Sequence, residues 1–219
     1  ENAYVSVSEN LFAIKKLEGD AARLALIDNL PLKQICIGFP WELLEKHPNT
    51  DLYDQSIKMT VSGIPLVLKM LDKEEEGSEG QFLNEIDMYK GPLRSLQGVC
   101  APYLFYASES TESPQILVTS REGSPVGTMP RAVKKQEFVQ EGMFKALTTL
   151  HENGITHGHI SFSAFHMVVV NESTRFYITD FGDAVYEPKH TAEFKRSCAH
   201  DLHRLRESIR SLDMRGSME

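Results

Sequence analysis

Residues 157–182, HGHISFSAFHMVVVNESTRFYITDFG in one-letter code, decide how this chain folds. Two β-rich runs, Phe165–Val170 and Arg175–Thr179, flank the polar connection Asn171-Glu172-Ser173-Thr174. Branched and aromatic residues on both sides of a short polar break predict a β-hairpin. A hairpin returns the chain on itself. It brings Asp180, just past the second strand, back to the loop that holds His157-Gly158-His159 before the first. Two short motifs far apart in sequence are therefore expected to share one site.

Working outward, Phe138, Met143, Phe144, Leu147 and Leu150 recur at helical spacing and predict a helix over Lys134–Asn153, ended by Gly154. Phe82, Leu83, Ile86 and Tyr89 predict a second helix over Gln81–Lys90, stopped by Gly91-Pro92. Between these helices Gln115–Thr119 reads as a strand and Gly123–Pro130 as a loop. Ile57–Thr60 and Pro65–Leu71 read as strands joined by a turn at Ser62-Gly63, and Lys73–Gly80 as a solvated acidic loop. A helix near His200–Leu212 closes the pattern. At the other end, Leu11, Phe12, Ile14, Leu17, Ala21, Leu24 and Ile27 predict a helix over Ser8–Asn29, with Ser8 as its N-cap. Strands dominate the first half and helices the second, so the expected fold class is α+β.

Composition bounds the function. The 219 residues carry a formal net charge of -8, which argues against non-specific binding to nucleic acid or an anionic membrane. Cys36, Cys100 and Cys198 are scattered and unpaired in spacing, which suits buried free thiols in a reducing compartment. No apolar run is long enough to span a bilayer. The expected setting is intracellular, cytoplasmic or nuclear, with a protein partner and neither nucleic acid nor membrane. Trp41 beside Pro40 either anchors the N-terminal extension or marks a partner surface, core or lobe packing being the commoner duty of a lone tryptophan.

The line from Ala146 to Ile160, with Leu150-His151 and His157-Gly158-His159, resembles the helix and catalytic loop of the protein-kinase superfamily. It is especially similar to the kinase-like domains common in fungi. Ile178-Thr179-Asp180-Phe181-Gly182 resembles the metal-binding DFG motif. Val67-Leu68-Lys69 resembles the strand of the phosphate-binding lysine, with Glu85 at the place of its partner glutamate. Leu96-Gln97-Gly98 followed by Pro102 is similar to the fungal branch. The resemblance implies a bilobal protein-kinase-like fold with a β-rich N-lobe over 55–120 and a truncated, mainly helical C-lobe over 121–219. Residues 1–54 would be a helical extension packed on the small lobe.

It also implies roles. Lys69 would hold the nucleotide phosphates, Glu85 would orient Lys69, and Asp180 would hold Mg²⁺. Ile116–Arg121, with Val118 and Ser120, would present backbone to an adenine edge. Asp201 would match the buried aspartate that steadies the catalytic loop.

The pattern breaks where chemistry is done. The family's catalytic aspartate position is His159, and its second metal ligand position is Ala164. A glycine-rich phosphate loop and an Ala-Pro-Glu motif are both missing from the sequence. Phosphoryl transfer is mainly positioning and charge stabilisation, so losing both groups costs several orders of magnitude. The expectation is a pseudokinase: a catalytically impaired binding or scaffold protein, holding ATP and Mg²⁺ weakly or not at all. Two alternatives stand beside it. One is an atypical active phosphotransferase in which His159 or Asp183 supplies the base. The other is a kinase fold repurposed for another small-molecule reaction. His157, His159 and His166 also invite a metal site, although the first histidine of such a loop is more often a packed structural residue.

Overall fold

The computed structural model of the protein describes residues 56–61, 64–71, 78–107, 116–170 and 173–214. The expected extension 1–54 with its Ser8–Asn29 helix, Cys36 and Trp41, the Ser62-Gly63 turn and the acidic stretch Lys73–Gly77 lie outside the described residues. The chain divides into two compact units, Glu1–Glu75 with Tyr103–Arg121, and Glu76–Pro102 with Glu122–Glu219.

In the first unit, strands β1 (Ser56–Val61), β2 (Ile64–Met70), β3 (Leu104–Ala107) and β4 (Ile116–Ser120) form one antiparallel sheet in the order β1-β2-β4-β3. Leu66 and Leu68 are buried while Val67 and Lys69 are half-buried, the two-residue alternation of a sheet with one covered face. Leu117 through Ser120 are all buried, as befits an inner strand. Strand β3 had no place in the sequence reading, although Tyr103-Leu104-Phe105-Tyr106 is an aromatic run of the right kind. A register shift between Leu104 and Tyr106 bulges it.

The second unit holds helix α1 (Ser78–Lys90), a short strand β5 (Ser124–Pro125), and a one-turn helix α2 (Arg131–Lys134). Helix α3 (Glu137–Glu152), strands β6 (Ile155–Thr156), β7 (Phe165–Val170), β8 (Ser173–Ile178) and β9 (Val185–Tyr186), and helix α4 (Ala192–Met214) follow. Strands β5, β7 and β8 form one antiparallel sheet, and β6 pairs with β9. The molecule is thus α+β with small antiparallel sheets.

The hairpin is present but tighter than expected. Ser173 and Thr174 pair with Val170 and Val169, so the strands absorb two residues assigned to the connection. The long helix is also interrupted. Gln136 is extended at φ -68, ψ 134, so α3 starts at Glu137 and the preceding turn is a separate α2 seated after Pro130. The buried face of α3 is Val139, Met143, Ala146, Leu147, Leu150 and His151, while Phe138 is 47% exposed. Leu83 of α1 likewise points outward, and Glu85 and Met88 are buried in its stead. The Gly123–Pro130 stretch is not plain loop, since Ser124 and Pro125 pair with Met167 and His166.

Helix α1, which the sequence boundaries grouped with the β-rich lobe, clusters with the second unit. Its side chains bond the Phe181–Ala184 segment there. Of the described cysteines, Cys100 is buried, its thiol pushed up to about 12 by burial. Cys198 is half-buried rather than buried, and burial followed by the Asp201 charge lifts its thiol to about 11. Among the described residues no helix is long and apolar enough to cross a membrane.

Gly142 sits inside α3, where glycine costs about 1 kcal/mol relative to alanine. The reason is contact: a Cβ there would lie 2.1 Å from Cε2 of Phe176 on β8. Gly142→Ala is therefore expected to lower stability by about 1–3 kcal/mol in denaturant unfolding, against its helix propensity. A stability gain would show that the ring does not rest on the helix.

Candidate functional site

The loop after β6 is shaped by one buried anion. Asp201, on α4 and 1% exposed, accepts the His157 amide at 2.8 Å and the Gly158 amide at 3.0 Å. His151, at the end of α3, donates from Nε2 to the same carboxylate at 3.1 Å. Burial would push the Asp201 carboxyl up, but the donors at His151, His157 and Gly158 outweigh it and hold it below its ordinary value. Gly158 has φ +82, and a Cβ there would lie 2.5 Å from the Asp183 carbonyl oxygen. Glycine fits both the backbone conformation and the close approach.

His157 is fully buried, and its partners select its neutral form. Nε2 lies 2.9 Å from the Thr179 carbonyl, which accepts, while Nδ1 accepts the His159 amide at 3.3 Å. A ring with hydrogen on Nε2 alone satisfies both contacts. Burial draws its pKa below the ordinary value against the pull of Thr179, Asp201, Asp180 and Glu85. The ring also packs on Phe181, centroids 5.4 Å apart, and Phe181 meets Tyr89 of α1 edge-on at 5.6 Å.

Helix α1 fixes the Asp180-Phe181-Gly182 turn from the other side. Glu85, 4% exposed, accepts the Phe181 amide at 3.3 Å. Asn84 donates to the carbonyls of Gly182 and Ala184, both at 2.8 Å, and Gln81 donates to Asp183 at 2.9 Å. Asp180 itself is exposed and takes a left-handed φ of 69. Thr179 on its other flank bonds the Ala164 carbonyl at 2.9 Å. The hairpin thus closes the two motifs into one neighbourhood of the second unit, as its polar break implied.

The expected site residues fall as follows. His159 is exposed, with Nδ1 3.6 Å from the Asp183 carboxylate. Ala164 is buried and presents no side-chain donor. Asp180 and Glu85 lie in the second unit on either side of the Phe181 amide, whereas Lys69 lies in the first unit, opposite Leu117. Val118 is flanked by Leu68 and Tyr106, inside the sheet, and the Ser120 amide donates to the Tyr103 carbonyl at 2.9 Å. The backbone of this segment is thus engaged within its own sheet. Gln81, Asn84 and Thr179 escaped the sequence reading, because hydrogen bonds between residues distant in sequence leave no periodic signal.

The donor set bears on metal chemistry. Asp180 offers one hard carboxylate suited to Mg²⁺, but Ala164 offers nothing, so these residues do not fit the two-ion arrangement the resemblance implies. Both His157 nitrogens are engaged, which removes the centre of a three-histidine site. Among the described residues no three His, Cys, Asp or Glu side chains are grouped to hold a metal ion.

No protein-family model matches the chain. No curated protein matches it either. Among solved structures, it is similar to a chain of the crystal structure of the yeast RNA Pol II CTD kinase CTDK-1 complex, at 17% identity and a TM-score of 0.46. The similarity covers 61% of this chain and 44% of that one.

The buried groups set a two-step acid response. A neutral His157 with a lowered folded pKa stabilises fully above about pH 6.5, and that stability drains as pH falls from there toward the folded value. Asp201, also lowered, contributes above about pH 3.9 and loses its share as pH falls further. Unfolding free energy measured across pH should therefore fall in two stages on acidification. Asp201→Asn should remove the lower stage and cost about 2 kcal/mol or more at neutral pH. An unchanged profile in that variant would show that the carboxylate does not hold the loop.

Proposed function

We propose that this chain is a pseudokinase, a bilobal protein-kinase-like protein that works by binding or scaffolding a protein partner rather than by transferring phosphate. One observation carries the reading. Hydrogen bonds and ring packing hold the His157 loop around Asp201 and Phe181, while the positions that would do chemistry are His159, exposed, and Ala164, apolar and buried. A loop can be held in shape by buried hydrogen bonds whether or not it carries a base. Without the aspartate nothing anionic orients the attacking hydroxyl, and without the asparagine no second ion is held.

In this reading Lys69 meets nucleotide phosphates and Asp180 is the remaining metal carboxylate, with ATP and Mg²⁺ bound weakly or not at all. Val118 and Ser120 belong to the segment that would present backbone to an adenine edge. The free cysteines suit a reducing intracellular setting, cytoplasmic or nuclear.

A second reading has one observation in its favour. Asp183 stands 3.6 Å from His159 Nδ1, an arrangement in which a carboxylate orients an imidazole as base. It makes the protein an atypical phosphotransferase, and the test separates the two. Calorimetric titration with ATP, with and without Mg²⁺, on the protein and on Lys69→Ala should give weak or no heat, with any weak heat lost in the variant. ADP release should stay at background. Turnover that disappears in both Asp180→Ala and His159→Ala would overturn the pseudokinase reading in favour of the second.

A further inference from the structure

Strand β8 ends the β5-β7-β8 sheet on one side, and its outer backbone groups are only partly accounted for. In an antiparallel strand these groups point alternately toward the paired neighbour and away from it. Two bonds fix which way each residue of β8 points. The Thr179 amide donates to Ala164, in line with the β7 ladder, while the Ile178 amide donates the other way, to Cys100 at 2.7 Å. Ser173, Arg175 and Tyr177 therefore face β7, and Thr174 and Phe176 face outward with Ile178. The segment through Cys100 covers the edge at Ile178 and stops there. Among the described residues nothing bonds the outward N–H and C=O of Thr174 or Phe176.

The two faces beside this open stretch differ. Phe176 rests on Gly142 of α3, so its side of the sheet is the α3 side. Thr174 shares that side by the alternation of a strand, as does Val169, its partner on β7. Val169 is 64% exposed, Phe138, one turn before Gly142 on α3, is 47% exposed, and Val99 beside Cys100 is 58% exposed. Three of the six exposed large apolar side chains among the described residues thus border one strand. The opposite face carries Arg175, which is exposed and in no ion pair among the described residues.

We infer that the open edge of β8 is a docking site for an extended segment of a partner protein, in which an acidic residue stands between two apolar ones. Such a segment adds a strand and takes up the outward groups of Thr174 and Phe176. Its residues opposite those two point to the α3 side, toward Val169 and Phe138. The residue between them points to the other face and meets the Arg175 guanidinium. A charge on an edge strand also deters pairing with a like edge. Two copies joined antiparallel about Arg175, the centre of the open stretch, would set guanidinium against guanidinium. The charge that guards the edge against a second copy therefore selects an acid in the partner. The inference rests on the binding-module reading and names its partner's chemistry. The nucleotide titration above interrogates different residues, so either can fail while the other stands.

The test is fluorescence anisotropy with a labelled peptide of about eight residues centred on Val-Glu-Val. Saturable binding is expected, weakened at least about fivefold when Lys replaces the Glu or when the three central amides are N-methylated. Arg175→Glu should weaken the Val-Glu-Val peptide by at least about fivefold and reverse the preference in favour of Val-Lys-Val. Thr174→Pro removes an outward amide that the β7 ladder does not use, and it should weaken both peptides; Arg175→Glu carries the test if that variant fails to fold. Residue-level hydrogen exchange should show the Thr174 and Phe176 amides slowed by the Val-Glu-Val peptide. Absent binding, equal affinity for the N-methylated or Lys-centred peptide, or an affinity that Arg175→Glu leaves unmoved would overturn the inference. So would a dimer in sedimentation that Thr174→Pro dissolves, since the occupant would then be a second copy.

Discussion

The Asp201 carboxylate is an anion taken out of water, and three donors make that tolerable: two consecutive backbone amides and one imidazole. Everything around the His157 loop follows from satisfying it. The amides of His157 and Gly158 must both point at α4, which forces Gly158 into a left-handed turn. That turn aims the His157 ring at the Thr179 carbonyl and lays it against Phe181. Phe181 in turn reaches Tyr89 of α1. A single buried charge on the last helix thereby sets the position of a turn that a distant helix grips from the opposite side. His159 and Ala164 enter this network through backbone alone, the amide of the first bonding His157 Nδ1 and the carbonyl of the second accepting from Thr179.

Much of this was legible in the sequence, and the reasons are specific. The hairpin could be read because β-branched runs flanked a polar break. The proximity of the His157 loop to Asp180 followed from it, and Asp201 was named through the resemblance alone. Other features left no trace. The break between α2 and α3 depends on Gln136 adopting an extended conformation that its side chain does not demand. Phe138 and Leu83 look like core residues by type, yet Val139 on α3, with Glu85 and Met88 on α1, holds buried positions in their place. Burial of Glu85 against a backbone amide is a tertiary outcome that hydrophobic periodicity counts as a miss. The amides of Gln81 and Asn84 are invisible for the same reason. Strand β3 was within reach, but a bulge blunts its alternation.

Helix α4 joins two tasks on one element. Its inner side delivers Asp201 to the loop, and Leu205 and Phe194 flank that residue in the apolar interior. Its outer side is charged along most of its length. A helix with such an outer side is chemically at ease in water or against an oppositely charged surface, and ill suited to an apolar layer. The arrangement couples a surface property to the interior, since anything that shifts α4 along its axis must carry Asp201 with it.

The left-handed backbone at Asp180 alters how its motif should be weighed. Few side chains other than glycine enter that region readily, and aspartate and asparagine are foremost among them, because their short polar arms bond locally. An acid at this corner is thus explained by conformation before any ion is invoked. Branched residues would be disfavoured there for purely steric reasons. The Asp-Phe-Gly corner then records how tightly the chain bends there, and the carboxylate alone is no proof of a bound cation.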